Sequence, residues 1–245
     1  MRDRLLGLKA LSVAFWGLVS WATVPGPSFL QAAGPVQDKV KPVVPLKALA
    51  FDLEDVRLLP GRFLHAMELD QKYLLALKAD RLLHTFRLNA GLPSSARPLG
   101  GWEAPKVEVR GHFTGHYLSA CALMYASTGD ERFKSKGDQV VTGLAECQRK
   151  LGSGYLSAFP EEYIDRVEHQ MRVWAPWYTL HKVLAGLLDM NKYCGNAQAL
   201  DVARGFADWV KTRADGLSDA HMQAMLGNEH GGHERGPGQP LRPDR

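Results

Sequence analysis

Two stretches of this chain read alike and lie about 65 residues apart. The first starts at His116, runs through Tyr125-Ala126-Ser127-Thr128-Gly129-Asp130 and continues to Phe133, Val140, Leu144 and Cys147. The second starts at His181, runs through Tyr193-Cys194-Gly195-Asn196 and continues to Leu200, Ala203, Phe206 and Trp209. In each, an apolar helix ends near a tyrosine, a glycine supplies the left-handed cap, and an amphipathic helix follows. Each unit is therefore a helical hairpin. The stretch between them, residues 151–175, is rich in Gly, Pro and aromatic residues and suits a long loop over one rim. Stacked hairpins with such loops predict an all-α chain built as an (α/α) barrel or toroid. At this spacing six hairpins need on the order of 300 residues or more, so 245 residues predict an incomplete barrel.

Other elements are few. Residues 53–58 alternate well enough for one short N-terminal strand, and Phe63, Met67, Leu74 and Leu77 carry helical spacing over 63–76. The first 33 residues stand apart. Arg2 and Arg4 precede an apolar run from Leu11 to Val24, then Pro25-Gly26-Pro27 and the small pair Ala32-Ala33. That order predicts a signal peptide over 1–33, hence a secreted or periplasmic protein with no membrane segment after its removal. A Pro- and Val-rich extended leader over 34–48 separates it from a domain spanning 49–232.

Composition removes several function classes. Lys plus Arg number 30 against 26 Asp plus Glu, and a surplus of +4 spread along the chain argues against a nucleic-acid partner. Cys121, Cys147 and Cys194 are too few and too scattered for a disulfide framework or a CxxC metal pair.

Four segments would place polar and aromatic side chains on a loop rim: residues 100–103, 111–117, 174–182 and 228–232. Flat rings beside His, Glu and Lys suit a sugar, whose C–H faces stack while its hydroxyls need directional partners. Each segment also has a plainer reading. His112 and His116, four apart, fit a metal pair or a capping and packing role; Trp174, Trp177 and Tyr178 fit a core stripe; His181 fits a buried, hydrogen-bonded histidine. Glu161, Glu162, Asp165 and Arg166 fit a solvated helix face or an acid/base pair.

Several ordered motifs go further. GGWE at 100–103, GHFTGHYLSA at 111–120, YASTGD at 125–130, GYLSAFPEEYIDR at 154–166, PWYTLHKVLAGLLD at 176–189 and NEHGG at 228–232 together resemble the beta-L-arabinofuranosidases of glycoside hydrolase family 127. The resemblance implies an α/α-barrel catalytic domain followed by β-sandwich domains, and an arabinose-containing glycan as partner. It also implies retaining hydrolysis by a cysteine thiolate held at a zinc site of cysteines and a glutamate, with a second glutamate as acid/base. By motif position His181 and His230 line the sugar subsite, and His116, Trp102, Trp177 and Glu229 stand near it. None of the three cysteines matches the family's nucleophile or zinc ligands. The expectation is thus a fragment without catalytic residues, without a cofactor of its own and inactive alone, zinc belonging to the full-length family. A non-catalytic glycan-binding protein, and another α/α-barrel carbohydrate enzyme such as a lyase or unsaturated-uronide hydrolase, remain the rival readings.

After Gly232 the pattern stops. Residues 233–245 are rich in Gly, Pro and Arg and carry no helical period, where the family continues Met-Asn-Glu. A one-base shift of a synonymous coding of this tail reads Met-Asn-Glu-Val-Leu-Ala-Asn-Leu-Tyr-Ala-Leu-Thr-Gly, which restores both the motif and a hairpin turn. Residues 233–245 are accordingly expected to be an out-of-frame tail, and the pairing of His233 with His230 carries no zinc site.

Overall fold

In the computed structural model, residue 48 and residues 50–229 are described. The expected signal peptide, most of the leader, His230 and the expected out-of-frame tail lie outside them. Among the described residues there are eight α-helices and no strand. These are α1 (Arg62–Ala76), α2 (Ala79–Asn89), α3 (His112–Thr128), α4 (Glu131–Leu151), α5 (Glu162–Glu168), α6 (Pro176–Cys194), α7 (Ala197–Ala214) and α8 (Asp219–Met225). The architecture is that of an incomplete helical barrel. The expected short strand is absent: Leu53–Asp55 form a 3-10 turn closed by Val56 N–H on the Leu53 carbonyl, 3.4 Å. Among the described residues no strand is present for it to pair with, and alternation without a ladder does not hold an extended chain.

The two hairpins form where the repeat placed them. Gly129 and Gly195 end α3 and α6 in the left-handed conformation, at φ 70° and 66°. Asp130 and Asn196 then start α4 and α7, their side chains accepting the N–H groups of Arg132 and Ala199. Each turn thus needs one residue that tolerates positive φ and one that caps, and the sequence supplies both in order.

The partners α3 and α6 touch backbone to backbone. A Cβ on Gly115 would sit 2.1 Å from the Lys182 carbonyl oxygen, and one on Gly186 2.4 Å from the Gly115 carbonyl oxygen. Only hydrogens fit between them, and this crossing fixes the register of every side chain that α3 and α6 present together. The α4 helix lays Phe133, Val140, Val141, Leu144 and Cys147 into the main core, beside Phe86, Leu118, Cys121, Leu187 and Met190. A second cluster gathers Tyr155 and Phe159 of the loop after α4 with Ile164 of α5, Leu180 of α6 and Phe206 and Trp209 of α7.

Glu161, Asp165 and Glu168 do not form a merely solvated face. They converge on Arg213 of α7 at 2.9, 2.5 and 2.7 Å, and Glu161 also accepts the Trp209 indole N–H at 2.8 Å. These bonds push the Arg213 guanidinium well above its ordinary value, the Glu168 bond contributing most.

The α1 helix is held at one end. Of its residues only Leu74 is buried, while Phe63, Leu69 and Tyr73 lie exposed. The Tyr117 hydroxyl donates to the Leu74 carbonyl at 3.0 Å and Lys136 Nζ to the Leu77 carbonyl at 2.7 Å. A groove of about 400 Å³ runs between α1 and α3, lined by Met67, Tyr73, Phe113, His116, Leu123 and Met124 among others.

Candidate functional site

The rim is assembled from the N-terminal ends of α3 and α6 and the loops before them. His112 and His116 lie one turn apart on α3, ring centroids 6.0 Å from each other and roughly perpendicular. Tyr178 comes from the first turn of α6. Its hydroxyl lies 3.2 Å from His116 Nε2, and its ring is 5.9 Å from that of His112. Lys182 Nζ stands 5.0 Å above the Tyr178 ring. Trp102 and Trp174 close the cluster edge to face at 5.7 Å, with Trp102 6.2 Å from His112. Both indoles are exposed, Trp102 at 66% and Trp174 at 47%. Such an arrangement offers flat apolar faces ringed by imidazole, phenol and ammonium donors.

Three glutamates fix this rim, and each is occupied by doing so. Glu103 is buried; its Oε2 accepts Gly111 N–H at 2.7 Å, and its Oε1 accepts Phe113 N–H at 2.9 Å and lies 2.8 Å from His112 Nδ1. His112 Nδ1 also meets the Val109 carbonyl at 2.9 Å. Both neighbours are acceptors, so Nδ1 carries the proton. The bond to Glu103 raises the His112 pKa above its ordinary value against the opposing effect of burial. Burial lowers that of His116, helped by the charges of Lys182 and His112. Two histidines four residues apart are thus driven in opposite directions. Glu108 binds Arg166 Nη1 at 2.9 Å through one oxygen and accepts Trp174 N–H at 2.9 Å through the other. Glu229 accepts Trp177 N–H at 3.0 Å and Tyr178 N–H at 2.6 Å. Burial pushes its carboxyl up, opposed by those two bonds.

Of the residues expected from sequence, Trp102 and His116 meet in the cluster, and His181 lies exposed on the same face of α6, close enough for its charge to act on His116. Trp177 goes elsewhere. It packs on the second core cluster, 6.2 Å from Trp209. Glu229 borders the rim as a partner of backbone N–H groups. His112, Trp174, Tyr178, Lys182 and Glu103 lie in the segments read from sequence as a sugar-binding rim, Trp174 and Tyr178 there weighed between stacking and core, but they were not among the named subsite residues. The missing signal was helix phase. Once α6 begins at Pro176, Trp177, Leu180 and Leu184 share one face and Tyr178, His181 and Lys182 another.

Among the described residues there is no group of three or more His, Cys, Asp or Glu placed to hold a metal. Cys121, Cys147 and Cys194 are buried apart in the core, where desolvation pushes their thiols up to about 11, 11 and 12.

Helical hairpins carrying an aromatic and histidine-rich rim define a carbohydrate-active domain of the helical-barrel class. The family model for the beta-L-arabinofuranosidase GH127 catalytic domain matches residues 55–236, well over half of the chain, and the chain belongs to that family. Comparison with curated proteins returned no match.

Proposed function

We propose that the rim binds an arabinofuranosyl unit of an arabinose-containing glycan, with Trp102 and Trp174 against the sugar face and His112, His116, Tyr178 and His181 around its hydroxyls. The carrying observation is the convergence of two exposed indoles, two imidazoles and a phenol at the mouth of a GH127-family domain. His112 is the best-defined contact: with Nδ1 committed to Glu103 and Val109, its Nε2 is left to meet a hydroxyl as acceptor when neutral or donor when charged. His230 of the NEHGG motif joins this reading by its position in the sequence.

On its own the 245-residue chain holds the glycan and does not cleave it. Retaining hydrolysis needs a nucleophile, and at neutral pH a thiol at pKa about 11 is ionised in roughly one molecule in ten thousand, while all three sulfurs lie in the core. The described rim glutamates are engaged with N–H groups or Arg166, so none of these carboxyls stands free over a bond as acid or base. We further propose that the chain is exported and cut after Ala33, on the strength of Arg2, Arg4 and the run Leu11–Val24.

Titration calorimetry with an arabinofuranosyl oligosaccharide tests the site. Trp102→Ala should weaken binding about tenfold with little change in melting temperature, since most of the ring already meets water. Trp177→Ala should instead destabilise by about 3 kcal/mol. Equal affinity in Trp102→Ala and wild type, or release of free arabinose by the wild-type chain, refutes the respective half of the proposal.

A further inference from the structure

Among the described residues five helix starts are met by side-chain oxygens, in two different ways, while α1, α2 and α5 have no side-chain cap. α4, α7 and α8 carry their own caps, from Asp130, Asn196 and Ser218, each bonding an N–H within three residues. The two rim helices have no cap of their own. Gly111 precedes α3 and Ala175 precedes α6, both left-handed, and neither has a polar side chain. Their N-terminal N–H groups are met by carboxylates imported from other stretches: Glu103 at Gly111 and Phe113, and Glu229, 51 and 52 residues away in sequence, at Tyr178 and Trp177.

Each imported carboxylate brings a segment with it. Glu103 lies in the 3-10 turn Gly101–Glu103, so its docking sets Trp102 beside His112 and Trp174. Glu229 draws the chain beyond α8 onto the start of α6, where Asn228 Nδ2 adds a bond to the Met171 carbonyl at 3.3 Å, just before the loop that carries Trp174. A negative charge at a helix N-terminus also offsets the positive end of its dipole. Resting on the glycan-binding reading above, we propose that Glu103 and Glu229 are positioning residues, latches that clamp two separate stretches of chain onto the rim helices, and that the rim takes sugar only with both latches closed. Neither glutamate contacts the sugar. Burial raising the Glu229 carboxyl pKa accords with an enclosed latch rather than a water-facing group.

Amide hydrogen exchange and glycan titration on the full chain test this together. Glutamine keeps the shape but offers one acceptor oxygen where two N–H groups wait. Glu229→Gln should speed exchange at Trp177 and Tyr178 about tenfold and leave Gly111 and Phe113 within about twofold; Glu103→Gln should do the reverse. Both should weaken arabinofuranoside binding about fivefold or more. Asn196→Ala, which removes the local cap of α7, should lower the melting temperature and bind as wild type does. Glu229→Asp, one methylene short of the N–H pair, gives the same exchange pattern should the glutamine variant misfold. Unchanged exchange at Trp177 and Tyr178, or an Asn196→Ala chain that loses as much affinity, overturns the proposal. The exchange readout needs no sugar. A wild-type chain that binds no arabinofuranoside therefore overturns the functional reading, while the latches are still judged by their amides.

Discussion

Replacing Gly115 by Ala tests the crossing on which the rim depends. The new Cβ would lie 2.1 Å from the Lys182 carbonyl oxygen and 2.2 Å from its carbon, both backbone atoms. Ordinary contact needs about 3.4 Å, so α3 and α6 must part by roughly 1 Å along a line where nothing flexible can yield. Overpacking of this kind costs about 3 kcal/mol, and the better helix propensity of Ala returns about 1, leaving a net loss near 2 kcal/mol. For a domain of this size that is a fall in melting temperature of about 4–8 °C. The matched control is Gly137→Ala, whose Cβ would clash with the Cε and Sδ of Met190 at 2.4 Å, the end of a flexible side chain, and meet the Cys121 Cβ at an ordinary 3.8 Å. It should come out near neutral. Differential scanning calorimetry of wild type, both single variants and Gly115→Ala/Gly186→Ala decides the matter. Because the first substitution already separates the helices, the double variant should lose less than the sum of its parts. A Gly115→Ala chain as stable as wild type, or no more damaged than Gly137→Ala, refutes the reasoning.

Three further outcomes follow from the structure. His112 has a raised folded pKa, so its pairing with Glu103 contributes stability that is full below about 6.5 and is lost as pH rises through the raised value; Glu103→Gln should cost more stability at pH 6 than at pH 9, read by urea denaturation at both. A cost independent of pH would contradict the pairing. Arg213→Met leaves Glu161, Asp165 and Glu168 facing one another without a cation, and should destabilise by about 2 kcal/mol at pH 7 in the same assay; an unchanged midpoint would contradict the convergence. With their thiols pushed up to about 11, 11 and 12, Cys121, Cys147 and Cys194 should resist a thiol reagent in the native chain and all react in denaturant; rapid native labelling of any one would sink the buried placement.

The hairpins were legible because their determinants are local. Gly129-Asp130 and Gly195-Asn196 each pair a left-handed stop with a capping start inside two residues, and no distant partner is needed. Alternation at 53–58 misled for the complementary reason, since a strand is made by its neighbour and none is present among the described residues. Within PWYTLHK the composition pointed to a site, yet which ring faces the rim turns on where α6 begins, and a shift of one residue exchanges Trp177 for Tyr178. The carboxylates were hardest to place. Glu161 and Asp165 find Arg213 across 52 and 48 positions, and Glu229 reaches back to Trp177 across 52, distances over which periodicity carries no information.

The one-ended attachment of α1 gives the domain a place to begin opening. Its last turn is bonded through the Leu74 and Leu77 carbonyls to side chains of α3 and α4, while Phe63 and Leu69 toward its start meet water. Thermal motion should therefore loosen the exposed first turns of α1, between the Leu53–Asp55 turn packed on α3 and the bonded end at Leu74, before the α3–α6 crossing yields. The wall of the groove that faces His116, Leu123 and Met124 would then move with α1, so the groove should widen as those first turns loosen.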